Sequence, residues 1–276
     1  MTVPSIALNN GTGIPQLGLG TASLNDEQIE PVIVTAVELG YRHIDTAAKY
    51  DNEVGVGRGI RASGVPRGEL FVTTKLDGPY QGDNRAIAGL DACLDRLGLE
   101  YVDLLLMHWP LPQRDLFVDT WRTFEKLAES GKARAIGVSN FKPAHLRTLL
   151  AQTSVAPAVN QVQLSPQHPR LDHRAFHAER GIVTESWSPL GGGGTGLLDN
   201  PQLEQIGLVH DKTPAQVVLR WHVQNGLVAI PRSHDPERLR QNLDVFDFEL
   251  NEQELLALDR LDGTAGPGVD SDVVGH

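Results

Sequence analysis

Short apolar runs alternate with longer amphipathic segments along almost the whole chain. The runs that read as strands cover 17–20, 43–45, 70–74, 102–108, 135–139, 159–162, 182–185 and 227–230. Between them lie segments with helical spacing, such as DEQIEPVIVTAVELG, NRAIAGLDACLDRLG, TWRTFEKLAESG and TPAQVVLRWHVQNG. In the last, Thr213 fits an N-cap, Pro214 the first helical position and Gly226 the stop. Pro31 is tolerable only in the first turn of its helix or with a kink. Ahead of the regular pattern, Asn10-Gly11 sits between short alternating segments and predicts a tight hairpin.

Eight strand-then-helix units predict a parallel sheet with helical crossovers, and eight strands are the number that closes a barrel. The expected fold is a single (β/α)8 TIM barrel over 1–276, with an N-terminal β-hairpin and an extra C-terminal helix. The Gly- and Asp-rich stretch 262–276 is expected to trail as a loose tail. No linker or internal repeat interrupts the pattern.

Composition narrows the function. Hydrophobic residues make up 40% and charged residues 21%, an ordinary water-soluble balance. A formal net charge of −11 argues against general nucleic-acid binding, which needs clustered Lys and Arg. It leaves room for an anionic ligand on a local basic patch. The lone cysteine, Cys93, excludes an intrachain disulfide and reads as a small buried residue on a helix. No basic-then-apolar leader and no run long enough to cross a bilayer is visible, so a cytoplasmic monomer acting on small molecules is expected.

In a barrel of this kind chemistry gathers at the C-terminal ends of the strands. The second strand ends in Asp45, the third in Lys75 and the fourth in His108, and Tyr50 lies in the loop after Asp45. Each alone has a bland reading: a turn residue, a solvated lysine, a structural histidine, a packing tyrosine. Together they suit proton donation to a carbonyl oxygen. A free tyrosine, with a pKa of about 10, is a poor acid-base near neutrality. A nearby ammonium favours phenolate, a carboxylate keeps that ammonium charged, and a neutral His can orient the carbonyl. The missing nucleophile would be a hydride from a reduced nicotinamide.

The motifs GYRHIDTAAKYDNEVGVG, VTTKL, VDLLLMHWP, IGVSNF, VNQVQLSP, ESWSPL and IPRS resemble, in order, the signatures of the aldo-keto reductase superfamily. TVPSIALNNGTGIPQLGLGT and NLDVFDFEL resemble its prokaryotic 2,5-diketo-D-gluconate reductase branch. The resemblance implies NADPH extended across the barrel mouth and reduction of small dicarbonyls or sugar-derived ketones. It makes Tyr50 the general acid, with Lys75 lowering its pKa, Asp45 pairing with Lys75 and His108 orienting the carbonyl. Ser139, Asn140 and Gln161 match the nicotinamide carboxamide contacts, and Trp187 matches the aromatic residue stacked on the ring. Ser188, Leu190 and Gly192 match pyrophosphate contacts, and Thr21 and Ile230 complete the cofactor set. Arg232, Ser233 and Arg238 fall around the 2′-phosphate, and Gln241 and Asn242 near the adenine.

Three departures from that pattern stand out. Asp235 replaces a basic residue near the 2′-phosphate, which predicts a narrower preference for NADPH, or else serves only as a helix N-cap. Ala22 replaces an aromatic pocket wall and Asp77 a tryptophan, leaving Trp109 as the aromatic wall of a wider, more polar substrate pocket. A metal-dependent hydrolase is the weaker enzyme reading: His173 and His177 are spaced i, i+4 with His168 near, but no H-E-x-x-H pattern accompanies them. They read as a surface helix, and no metal is expected. An NADPH-binding redox sensor with little turnover is the non-enzyme alternative. SPLGGGGTG, from Ser188 to Gly196, spells G-x-G-x-x-G but follows the seventh strand, and no acidic strand end completes a dinucleotide fingerprint. It is expected to be a cover over the pyrophosphate, mobile without cofactor and ordered with it.

Overall fold

Asn10 and Gly11 do turn the chain. Strands β1 (Ser5–Ala7) and β2 (Gly13–Pro15) pair antiparallel, with Ile6 opposite Ile14, and Gly11 takes the left-handed backbone that the turn needs. The computed structural model describes residues 3–82 and 84–276.

Eight parallel strands follow in sequence order: β3 (Leu19–Gly20), β4 (His43–Asp45), β5 (Phe71–Leu76), β6 (Val102–Met107), β7 (Ala133–Ser139), β8 (Val159–Gln163), β9 (Val183–Trp187) and β10 (Val228–Ala229). The sheet closes on itself. Ala229 N donates to Gln16 O at 3.0 Å, and Gly18 N donates to Ala229 O at 2.9 Å. The eight expected strands are all present, with ends shifted by up to two residues. One shift matters, because β5 runs on to Leu76 and so places Lys75 inside a strand.

The crossover helices are α1 (Asp26–Leu39), α2 (Glu53–Ala62), α3 (Arg85–Leu97), α4 (Phe117–Glu129), α5 (Pro143–Gln152), α6 (Leu171–Ala178), α7 (Pro201–His210) and α8 (Pro214–Gln224). After β10 come α9 (Pro236–Leu243) and α10 (Glu252–Asp259). Thr213 and Gln216 form a capping box at the start of α8, and Gly226 takes a positive φ after its end. Pro31 lies in the second turn of α1 on the solvent face, so the carbonyl of Glu27 that it leaves unpaired can reach water.

The interior divides into zones. A large apolar layer, including Ile44, Val72, Leu105, Val138, Trp121 and Phe124, packs between the sheet and α1 to α5. Inside the barrel, Leu104, Leu106, Val159 and Val228 fill the N-terminal end, where Leu8 and Ile14 of the hairpin close it. Toward the C-terminal end the interior turns polar, and that end carries the site.

Helix α2 anchors this end. A Cβ on Gly55 would lie 2.3 Å from Asp26 O, and one on Gly57 would lie 2.0 Å from Leu97 O. Only glycine lets α2 approach its neighbours so closely. That approach holds the Ala48–Tyr50 turn that leads into α2.

Residues 262–276, expected to trail loosely, run along the barrel. Val269 N donates to Gln163 Oε1 at 2.7 Å, Lys142 pairs with Asp270 and Asp272, and Asp272 meets His145 at 2.9 Å. The path ends at the mouth, with the His276 ring edge-on to that of His108 at 4.7 Å between centroids.

Candidate active site

A cavity of about 410 Å³ opens at the C-terminal ends of the strands. Tyr50, Asp45 and His108 line it, and Lys75 stands fully buried behind them. Lys75 Nζ donates to Asp45 Oδ1 at 2.5 Å, to Thr46 O at 3.0 Å and to Tyr50 Oη at 3.3 Å. Those three bonds exhaust the ammonium's donors. The position of Tyr50 is itself fixed from behind. Buried Asn52 donates to Thr21 O and Leu24 O, both at 2.8 Å, and accepts from Thr46 Oγ1 at 2.9 Å. This ties the tyrosine turn to the loop after β3.

The electrostatics follow from burial. Burial opposes the charge on Lys75, but Asp45 and then Tyr50 overcome it and push its pKa up, so the ammonium stays charged. For Tyr50 the balance differs from the sequence expectation. Lys75 does pull its pKa down, but burial outweighs this and the net direction is upward. The phenol is therefore held protonated, as an acid must be before it donates. His108 is driven well below the ordinary imidazole range by burial, then by the charge of Lys75. It is a neutral imidazole, its ring edge-on to Tyr50 at 5.9 Å between centroids. Its Nδ1 has no hydrogen-bond partner among the described residues. An incoming carbonyl oxygen could accept from the phenol and the imidazole together.

Across the cavity lie Ser139, Asn140, Gln161 and Trp187. Ser139 Oγ donates to Gln161 O at 2.9 Å. Asn140 Nδ2 donates to His108 O and Ser139 Oγ, both at 3.0 Å, and Asn140 Oδ1 accepts from Trp187 Nε1 at 2.9 Å. Asn140 and Ser188 both adopt positive φ, 63° and 49°, which for residues with side chains is strain of the kind concentrated at working sites. Thr21, Ala22, Trp109, Leu190, Gly192, Ile230 and Arg232 complete the wall. Arg232 Nη1 donates to Ala22 O at 3.0 Å and so bridges the loops after β10 and β3.

Other expected site residues lie outside this cavity. Asp77 does not wall it. Its carboxylate accepts from Gly78 N at 2.9 Å and caps the turn 78–80, and its Oδ1 lies 4.0 Å from Nε2 of His276 at the mouth. Ser233, Arg238, Gln241 and Asn242 sit on the segment leading into α9 and on that helix. Arg238 is exposed, with its guanidinium free of protein partners among the described residues, whereas Asn242 is buried. Asp235 is the N-cap of α9, accepting from Glu237 N at 2.9 Å and Arg238 N at 3.1 Å. The surface-helix reading of His177 fails: the ring is fully buried, bonded to Asn160 Nδ2 and Thr184 Oγ1, each at 2.9 Å. Cys93 is buried in α3 as expected.

Sequence reasoning missed Glu185. In the sequence it closes an apolar run, but it lies within β9, fully buried inside the barrel beside Gln161. The signal was an acidic residue in a strand whose neighbours give it no route to solvent.

The cavity suits a nicotinamide nucleotide. It offers an indole, a carboxamide group on Gln161 and left-handed backbone at Ser188 and Gly192, and its rim carries the Arg232 guanidinium. Comparison with known proteins agrees with this geometry. The profile of the "Aldo/keto reductase family" matches residues 11–262. Methylglyoxal reductase DkgA of Yersinia pestis is 45% identical over 270-odd residues, covering 99% of this chain and 98% of that protein. 2,5-Diketo-D-gluconic acid reductase B of Corynebacterium sp. is 46% identical, covering 94% of each. Among solved structures, a Gox0644 mutant in complex with NADPH superposes with a TM-score of 0.94 at 38% identity, covering 100% of both chains. The chain belongs to the aldo/keto reductase family and is an oxidoreductase acting on carbonyl substrates.

Proposed function

We propose that this protein uses NADPH to reduce small dicarbonyls or sugar-derived ketones to alcohols. The observation that carries the reading is Tyr50: a protonated phenol at the cavity, 3.3 Å from an ammonium held by a buried carboxylate. Bound NADPH supplies the hydride. Trp187 would stack on the nicotinamide, Ser139, Asn140 and Gln161 would meet its carboxamide, and Ser188, Leu190 and Gly192 would pass along the pyrophosphate. The substrate carbonyl is oriented by His108 and receives its proton from Tyr50. As the phenol gives up its proton, Lys75 compensates the developing phenolate, and Asp45 keeps Lys75 in place.

The substrate class rests on the wall. Ala22 leaves space where a bulky side chain would close the cavity, and Trp109 provides a large aromatic face stacked beside His108. The test is NADPH oxidation followed at 340 nm against a carbonyl panel, wild type beside Tyr50→Phe. The expected result is turnover on small dicarbonyls that falls by roughly 10²–10⁴-fold in Tyr50→Phe while NADPH still binds. Tight NADPH binding with no turnover on any carbonyl would overturn it.

A further inference from the structure

Below the Asp45–Lys75 pair the barrel holds a second carboxylate, that of Glu185. Glu185 Oε2 accepts from Gln161 Nε2 at 2.9 Å, and Asp45 Oδ2 accepts from the same nitrogen at 2.8 Å. A carboxamide nitrogen carries two hydrogens; ionised Asp45 only accepts, and Glu185 accepts through a carboxyl oxygen whether or not it is protonated. Both hydrogens of Gln161 are therefore engaged on the buried side. Its amide oxygen is the one polar atom of that side chain left for whatever fills the cavity. Strand register fixes the arrangement, since Glu185 lies beside Gln161 on β8 and beside Val228 on β10.

We propose that Glu185 is a positioning residue for hydride transfer, clamping the Gln161 amide together with Asp45 so that its oxygen faces the nicotinamide carboxamide. This rests on the reading of Gln161 as a cofactor contact. Asp45 alone would hold one corner of the amide and leave it free to turn.

The clamp also sets charge. The groups around Glu185 are Asp45 and His43 from β4, Tyr50 from the turn after it, Lys75 from β5 and Gln161 from β8, while β10 places Val228 beside it. His43 Nε2 lies 3.6 Å from Glu185 Oε1 and is engaged by Thr73 Oγ1 at 3.1 Å. Burial holds His43 neutral, with its pKa down to about 3. The only cation, Lys75, is bonded to Asp45. Burial, then the charge of Asp45, raises the Glu185 carboxyl to about 8. At neutral pH it is a neutral acid whose carbonyl oxygen accepts from Gln161. Above that pH it adds a negative charge beneath the nicotinamide, which favours the cationic oxidised ring over the neutral reduced one.

The experiment is fluorescence titration of the full chain with NADPH and with NADP⁺ from pH 6.5 to 9.5, with thermal melts to confirm folding. The variants are Glu185→Gln, Glu185→Leu and Gln161→Leu. Glu185→Leu should weaken NADPH binding by about fivefold, as should Gln161→Leu, with little further loss when the two are combined. Glu185→Gln keeps an acceptor and should recover most of that loss. In wild type the ratio Kd(NADP⁺)/Kd(NADPH) should fall about threefold as pH rises through 8, and in Glu185→Gln it should stay flat. If Gln161→Leu binds like wild type, the reading of Gln161 fails and the proposal with it. If Gln161→Leu weakens binding but Glu185→Leu does not, and Glu185→Gln keeps the pH step, the clamp is overturned while the reading stands. Should Glu185→Leu not fold, Glu185→Met, closer in shape, takes its place in the same titration.

Discussion

The indole of Trp187 donates to the side-chain oxygen of Asn140 at 2.9 Å, so the ring that would cover the cofactor is oriented by the residue that also holds the backbone of His108. Trp187→Phe keeps an aromatic face and drops the hydrogen bond. NADPH should bind it about threefold more weakly, and Trp187→Ala about tenfold or more, because the ring contact is then lost too. Titration by NADPH fluorescence reads both. Equal affinities for wild type and Trp187→Ala would remove Trp187 from the cofactor site.

Lys75 and Asp45 are both buried, so removing one strands the other's charge. Lys75→Met should destabilise the fold by about 3–5 kcal/mol and abolish turnover. The double variant Lys75→Met/Asp45→Leu has no stranded charge. It should recover much of the stability and none of the activity. Urea unfolding beside kinetics checks this, and a double variant no more stable than Lys75→Met would count against the pairing.

Three buried histidines set the acid limit of stability. Burial is the first cause in each case, holding His43 and His177 near a pKa of about 3 and His222 near about 4. In the unfolded chain each titrates near the ordinary 6.5. Below that pH the unfolded state binds the protons and the folded state does not. Stability is therefore full above about pH 6.5 and declines as pH falls toward 4 and then 3. Tm should drop across this window, and His177→Gln should flatten the slope relative to wild type. Parallel slopes would assign the acid sensitivity to other groups.

Asp235 caps α9 while placing a carboxylate beside the expected 2′-phosphate site. Asp235→Ser keeps a capping oxygen and removes the charge. We expect kcat/KM with NADPH to rise roughly three- to tenfold, and kcat/KM with NADH to change little. The same gain with both cofactors would show that the carboxylate does not face the 2′-phosphate.

The alternation of apolar runs and amphipathic segments carried the barrel, because each strand must be buried and each crossover helix must show one apolar face. The tyrosine, lysine, aspartate and histidine were legible because strand ends share one rim. Glu185 was not, since a linear reading gives no sign that two carboxylates from strands 140 residues apart in sequence share one amide nitrogen. Asp77 is a related case: strand-end position does not say whether a short acid lines the cavity itself or caps its own loop beside the C-terminal histidine. The packing of His276 against His108 has no local signal either, since it depends on the path of the whole chain after α10.

The hairpin β1–β2 seals the N-terminal end of the barrel with Leu8 and Ile14. Behind it, Leu104, Leu106, Val159 and Val228 already fill the barrel interior, so the hairpin is a lid on a plug and not the wall of a passage. The polar cavity meets solvent on the side of the strand ends, and changes to the hairpin should be felt as stability and not as turnover.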